Sequence, residues 1–288
     1  MQTKEYSLDV AGKKLTAHFS NLTDQTNGSV MVKTGETVVL ATAVMGSRER
    51  TDLDYFPLTV DYEEKFYAAG LVLGGRYMKR EGRPSDEAIL AGRAIDRTIR
   101  PLFDHSLRRE IQVTVTVLSI DEKNDPDVLS IFAASLALAV SDIPWNGPVG
   151  AVRVGLDEEG TLLTNPIYGE REQSPLDLLI CGKDRAINMI EAGAKEVSEE
   201  IIGKGFEEAV KVVQTLEDFQ KKIVGEIGKE KISFEENGIP KEVVELFESE
   251  YGKEKLTKEL FSENTKSAIS TVQTFMRDKT EEVLADEV

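Results

Sequence analysis

The 288-residue sequence predicts an α+β fold of split βαβ layers followed by a small all-helical segment. Three observations carry this expectation. Residues 1–64 alternate between polar and apolar with period two, the period becomes helical from Ser85, and beyond about residue 205 only helical periodicity remains. No P-loop or dinucleotide fingerprint interrupts the pattern, which argues against a Rossmann sheet.

Taken in order, Tyr6, Leu8 and Val10 alternate, Leu15, Ala17 and Phe19 follow a turn at Gly12-Lys13-Lys14, and Val30, Met31 and Val32 precede a turn at Thr34-Gly35-Glu36. Residues 1–64 as a whole read as antiparallel strands. Thr37–Val44 is a nearly continuous β-branched run, suited to an inner strand covered on both faces, and Phe56–Tyr62 supplies another strand. Ser85 then caps a helix: Asp86 and Glu87 favour the positive end of its dipole, Ile89, Leu90, Ile95 and Ile99 supply an apolar stripe, and Pro101 marks the exit. Ile111–Ile120 is a strand, and Val128–Ser141 is an Ala-rich apolar helix suited to close packing on a sheet. A weaker version of the pattern follows. It comprises strands at Val149–Val154 and Leu176–Cys181, a helix from about Asp184, and turns at Asn146-Gly147-Pro148 and Asp157-Glu158-Glu159-Gly160. From residue 205, Phe206, Val210, Val213, Leu216, Ile223 and Ile227 recur on one helical face. Residues 201–288 hold 13 basic and 20 acidic groups, which makes them a poor surface for RNA. The expected domains are 1–204 and 205–288.

The net charge of -17 disfavours a diffuse nucleic-acid binder but leaves room for one narrow basic channel. Between Arg76 and Arg100 seven basic residues face four acidic ones. Gly74, Gly75 and Gly82 bracket a loop that could present Lys79, Arg80 and Arg83 to phosphates while Tyr77 stacks on a base. Arg93, Arg97 and Arg100, spaced by four and three, share one helix face, and guanidinium forks match phosphate oxygens. A solvated surface turn, and local ion pairing of the arginines with Asp96 or Glu87, are competing readings of the same residues.

Other chemistry finds little support. Asp121, Asn124, Asp125 and Asp127 lack the glycine and terminal glutamate of a calcium loop, and His18 and His105 have no partner at metal-ligand spacing. Ser135 and Ser141 lie on an apolar helix without a nucleophile elbow. No catalytic and no metal-binding residue is therefore assigned. The single cysteine, Cys181, reads as a buried thiol in a reducing compartment. The first ten residues lack a secretory pattern and Phe132–Val140 is too short to span a bilayer, so a soluble, cytoplasmic protein without a membrane partner is expected.

The chain resembles the N-terminal part of the bacterial polynucleotide phosphorylase (polyribonucleotide nucleotidyltransferase) family. The motifs are GSVMVKTGETVVLATAV, DYFPLTVDYEEKFYAAG, MKREGRPSDEAIL, RAIDRTIRPLF, NDPDVLSIFAASLALAVSDIPWNGPVGAVRVG and LDLLICG, in order and at family spacing. The resemblance implies a ribonuclease PH-like core, of the ribosomal protein S5 domain 2-like type, followed by the family's all-helical domain. It further implies a homotrimeric, phosphate-dependent 3′-to-5′ exoribonuclease that degrades mRNA, consumes inorganic phosphate, binds single-stranded RNA and uses Mg2+ or Mn2+ in a second core. The family's channel-constriction loop falls on Tyr77, Met78, Lys79 and Arg80, with Tyr77-Met78 replacing its usual phenylalanine pair. Arg93, Arg97 and Arg100 match first-core arginines of the RNA path. Where the second core of the family has a phosphate-binding serine-rich turn, this chain has Asp125-Pro126-Asp127. Where that core has metal-binding carboxylates, it has Gly169 and Pro175, with Asp177 alone retained. The implied role is a noncatalytic, RNA-guiding and trimer-scaffolding segment that holds no cofactor of its own. An active phosphorolytic subunit and a purely structural scaffold are the alternatives.

Overall fold

The computed structural model describes residues 3–50, 52–72, 82–233 and 241–250, together with 257–258, 261, 269–275, 277–278 and 281. The chain divides into two compact units, Met1–Phe234 and Glu235–Val288. Of the second, the described part is chiefly one helix, α5 (Lys241–Glu250).

The first unit is built on two sheets. Strands β1 (Thr3–Val10), β2 (Lys13–Ser20), β3 (Gly28–Thr34) and β4 (Thr37–Glu49) form an antiparallel meander, and β6 (Arg109–Ser119) adds antiparallel to β4. Strand β5 (Leu58–Glu64) closes this six-stranded sheet at its far edge, giving the order β1-β2-β3-β4-β6-β5. It pairs with β6 in parallel, not antiparallel as the sequence pattern suggested. The reason is α1 (Asp86–Ile99), which returns the chain across the sheet between the two strands and completes a βαβ unit. The second sheet is antiparallel in the order β10-β9-β7-β8, from β7 (Gly150–Leu156), β8 (Leu162–Thr164), β9 (Leu176–Lys183) and β10 (Ala186–Ala194). A mixed α+β core with split sheets, followed by helices, is thus the fold that the sequence predicts.

Between the sheets runs α2 (Pro126–Val140), buried along almost its whole length. Its run of alanine, leucine and valine packs against β3 and β4 on one side and β7 on the other. Strands β7 and β9 are covered twice over. Ala151, Leu179 and Cys181 join the main core with α2, while Val152, Val154, Leu178 and Ile180 pack on Ala209 and Val213 of α4 (Glu199–Ile227). Burial on both faces is why these strands read as unbroken apolar runs. It is also why α4 belongs to the first compact unit, Met1–Phe234.

Three local expectations change. In β4, Val39, Ala41 and Ala43 are buried while Val38, Leu40 and Thr42 are only half-buried, so one face of this inner strand stays partly open. In α1 the buried face is Ala88, Ala91, Ala94, Ile95 and Ile99, whereas Ile89 and Leu90 are exposed, because small side chains let the helix settle close on β5. Finally, no helix starts near Asp184. Asp184 and Arg185 have φ of 49° and 63°, and Lys183 pairs with Ala186, so this is a two-residue hairpin turn that sends the chain back as β10.

The end of the unit is strapped down. Lys229 N donates to Val140 O and Ile232 N to Asp142 O. Lys231 Nζ donates to the carbonyls of Leu138, Ala139 and Ser141, satisfying the C-terminal end of α2. Among the described residues no helix is long and apolar enough to cross a membrane.

The seat of α4 gives a direct test. A Cβ added at Gly150 would meet Val213 O at 2.7 Å and its Cα at 2.9 Å, backbone against backbone. Gly150→Ala should lower the unfolding free energy by about 1–3 kcal/mol in urea titration. Gly203→Ala, within α4 but with nothing near its added Cβ, should leave stability unchanged or raise it by up to about 1 kcal/mol.

Candidate nucleic-acid interface

Of the basic residues singled out in the sequence, the structure describes Arg83, Arg93, Arg97 and Arg100, all on α1 or flanking it. Ser85 Oγ accepts from Ala88 N at 3.1 Å and fixes the first turn, so the helix starts where the sequence puts it. Arg83, just before the cap, and Arg93, two turns in, are exposed and make no ion pair among the described residues. Arg93 lines a groove between α1 and β5 together with Tyr62, Pro84, Ala88 and Arg100. Arg97 is half-exposed and its Nη1 donates to Glu191 Oε1 on β10 at 2.8 Å. Arg100 is the most committed: its Nη2 donates to Asp96 Oδ1 at 2.6 Å and to Leu58 O at 3.0 Å, and its guanidinium lies 6.0 Å from the Phe56 ring centroid. Tyr77, Lys79 and Arg80 lie outside the described residues.

At the N-terminus of α2 the charges are arranged differently. Asp125 caps the helix by accepting from Asp127 N at 2.8 Å. Arg153, from the middle of β7, donates from Nε to Asp125 Oδ2 at 2.7 Å and from Nη1 to Asp177 Oδ1 at 2.6 Å. Arg171, on the short helix α3 (Tyr168–Gln173), closes the ring with bonds of 3.2 Å to Asp125 Oδ2 and 2.9 Å to Asp177 Oδ2. Tyr62 Oη donates to Asp127 Oδ1 at 3.3 Å, while Arg153 Nη2 stands 4.0 Å from Asp127 Oδ2. The side chains of Arg153 and Asp125 are only 8% and 9% exposed, so neither charge can rely on water.

Three carboxylates share two guanidinium groups here, and the imbalance falls on Asp127. Burial and the adjacent Asp125 charge push it up to about 7, against the pull of Arg153, the Tyr62 hydroxyl and Arg171. For Asp177 burial also acts upward, but Arg153 and Arg171 outweigh it and hold this carboxyl below its ordinary range. Burial would likewise lower Arg153, yet Asp125 and Asp177 keep it raised.

This ring also decides the metal question for the residues singled out in the sequence. Gly169 and Pro175 offer no side-chain ligand, and both Asp177 oxygens already accept from guanidinium groups. A divalent cation does not fit this donor set. Asp121 has a structural task as well: it accepts from Glu36 N, Thr37 Oγ1, Lys123 N, Asn124 N and Asn124 Nδ2, tying the β3–β4 turn to the loop before α2. Burial works against its ionised form, but these donors prevail and hold it well below the usual carboxylate range. The sequence reading missed Arg153 and Arg171. Arg153 could have been found, since a single charge inside the apolar run Val149–Val154 has to meet an opposite one.

Residues 11–144 match the family model described as 3′ exoribonuclease family, domain 1. Rice (Oryza sativa) Rrp46 shares the fold, with a TM-score of 0.58 over 77% of this chain and 94% of that one at 14% identity. The chain thus carries a ribonuclease PH-type core. More particularly, it is strongly homologous over most of its length to the polyribonucleotide nucleotidyltransferases. It is 47% identical to that of Exiguobacterium sibiricum over 81% of this chain and 31% of the relative. The Thermotoga maritima protein is 44% identical over 89% of this chain and 36% of the relative, and that of Roseiflexus castenholzii 48% over 79% and 30%. The chain spans about a third of the length of these curated relatives.

The raised Asp127 carboxyl makes a pH prediction. Because its folded value exceeds its unfolded one, near 4, the folded state binds the extra proton between these limits and loses stability as pH rises through that window. Asp127→Asn should therefore be more stable than the parent above pH 7, with the advantage shrinking to nothing by about pH 4. Urea midpoints across this range would show it, and a difference independent of pH would contradict the assignment.

Proposed function

We propose that this chain is the N-terminal part of a phosphate-dependent 3′-to-5′ exoribonuclease of the polyribonucleotide nucleotidyltransferase type, and that it guides RNA and scaffolds a trimer without performing the cleavage. In the complete cytoplasmic enzyme, inorganic phosphate would attack the terminal phosphodiester of single-stranded RNA in line and release a nucleoside diphosphate. The divalent ion implied for that reaction, Mg2+ or Mn2+, belongs to a second core outside this sequence. The first core would guide RNA, and the helices beyond it would form the linker domain.

One observation carries the noncatalytic reading. At the N-terminus of α2, where backbone N–H groups would favour an anion, the position is filled by Asp125, whose carboxylate is gripped by Arg153 and Arg171. An attacking phosphate would meet carboxylates and find both guanidinium forks engaged. At the start of α1 and along it the balance is reversed, because Arg83, just before the cap, and Arg93 remain available to a polyanion. Phosphate contacts of this kind hold a strand without reading its sequence.

Two measurements separate this reading from its alternatives. The purified chain should release no nucleoside diphosphate from RNA at any phosphate or Mg2+ concentration; release above background would favour an active subunit. Arg83→Ala with Arg93→Ala should weaken oligoadenylate binding about tenfold at low salt and reduce the salt slope by about two. Lys79→Ala with Arg80→Ala should act in the same direction. Unchanged affinity and slope would leave a structural scaffold.

A further inference from the structure

A second basic surface lies at the opposite end of the six-stranded sheet from α1, on β1–β3. Lys14, Thr16 and His18 alternate along the outer face of β2, and Lys33 of β3 stands in register with Thr16. Lys13 and Lys123 complete the lining, so four lysines face one carboxylate, Glu5, across a groove of about 560 Å3. That volume is within the range of small-molecule sites, roughly 300–1,000 Å3.

The acidic groups around the groove are largely occupied. Glu5 lies 3.5 Å from His18, Glu36 Oε2 accepts from Lys33 Nζ at 3.1 Å, and Asp9, in register with Lys14, accepts from Gly12 N. Glu122 is exposed beside Lys123. Lys13 Nζ donates to Asn165 O at 2.7 Å. Lys14 and Lys123 have no ion pair among the described residues. In a chain of net charge -17, this wall brings four lysines together, and the exposed Lys14 and Lys123 are the two poised for an external anion.

The wall is also rigid. Gly35 turns β3 into β4 at φ +60°, where a side chain would collide with Asp121 and Asn124. The Asp121 carboxylate bonds the backbone of Glu36 to that of Lys123 and Asn124, fixing the segments that carry Lys33 and Lys123. Tyr168 N, donating to Lys123 O, holds the other side.

We infer that this groove binds a small, multiply charged phosphate anion, of the pyrophosphate or nucleoside diphosphate class, independently of the basic face of α1. Several ammonium point charges suit an anion bearing at least two negative charges, and the groove is large enough for a nucleoside beside them.

Isothermal titration of the chain with pyrophosphate and with ADP, at low salt, tests this. Saturable binding is expected for both, with ADP tighter if the nucleoside also contacts the groove. Lys14→Ala with Lys123→Ala should weaken it about tenfold or more. Both lysines are exposed, so the variant should melt with the parent, and circular dichroism checks that. Arg93→Ala should leave the affinity unchanged. No saturable heat with either anion up to about 10 mM, equal affinity in the double-lysine variant, or an effect of these lysines on RNA binding alone would overturn the inference.

Discussion

Arg153 is the interaction on which the rest of this core depends. It projects from the centre of β7, in the second sheet, and its guanidinium reaches Asp125 at the start of α2 and Asp177 on β9. One side chain thereby joins the helix between the sheets to two strands of the second. Replacing it by an apolar residue would leave Asp125 and Asp177 dependent on Arg171 alone in a largely dry site, a change expected to cost several kcal/mol. The arrangement gives orientation as much as stability, because a planar fork accepts partners only in fixed directions.

The same ring fills the N-terminus of α2 with the chain's own carboxylates. Helix N-termini attract anions, and arginines near them usually strengthen the attraction. Here the anions are covalently part of the chain. The effective concentration of Asp125 at its own helix cap exceeds that of any diffusing phosphate, so the site is saturated by folding. The cationic side chains that meet solvent without an ion pair among the described residues lie away from this ring, Arg83 and Arg93 at α1 and Lys14 on β2 among them.

Much of this was legible in the sequence, for reasons that differ by element. The Ser85 cap, the apolar length of α2 and the β-branched runs of β4 and β6 are local signals, and local physics determined them. The errors were non-local. Ile89 and Leu90 look like core residues by period, but the strand beneath α1 favours the alanine face for close approach. Asp184-Arg185 carries no glycine to announce a turn, yet pairing of β9 with β10 imposes left-handed backbone there. The parallel pairing of β5 follows from where α1 delivers the chain, and a strand's own composition says nothing of its neighbour's direction. The basic face of α1 was visible as charge. The pairing of Arg100 with Asp96 was one of the two readings the sequence offered, whereas that of Arg97 with Glu191, 94 positions away, was not among them.

The strap at residues 229–232 sets an order of events. The last carbonyls of α2 find their donor in Lys231, 90 to 93 positions further along the chain. During synthesis, the central helix therefore leaves the ribosome long before the residue that finishes it, and in the interval its C-terminal turn has only water and the neighbouring Ser141, which donates to Leu138 O. The sheets can collapse around α2 early, but the core closes only once α4 has crossed it and the strap has emerged. Maturation of this unit is thus timed by its final few residues, however early its centre was made.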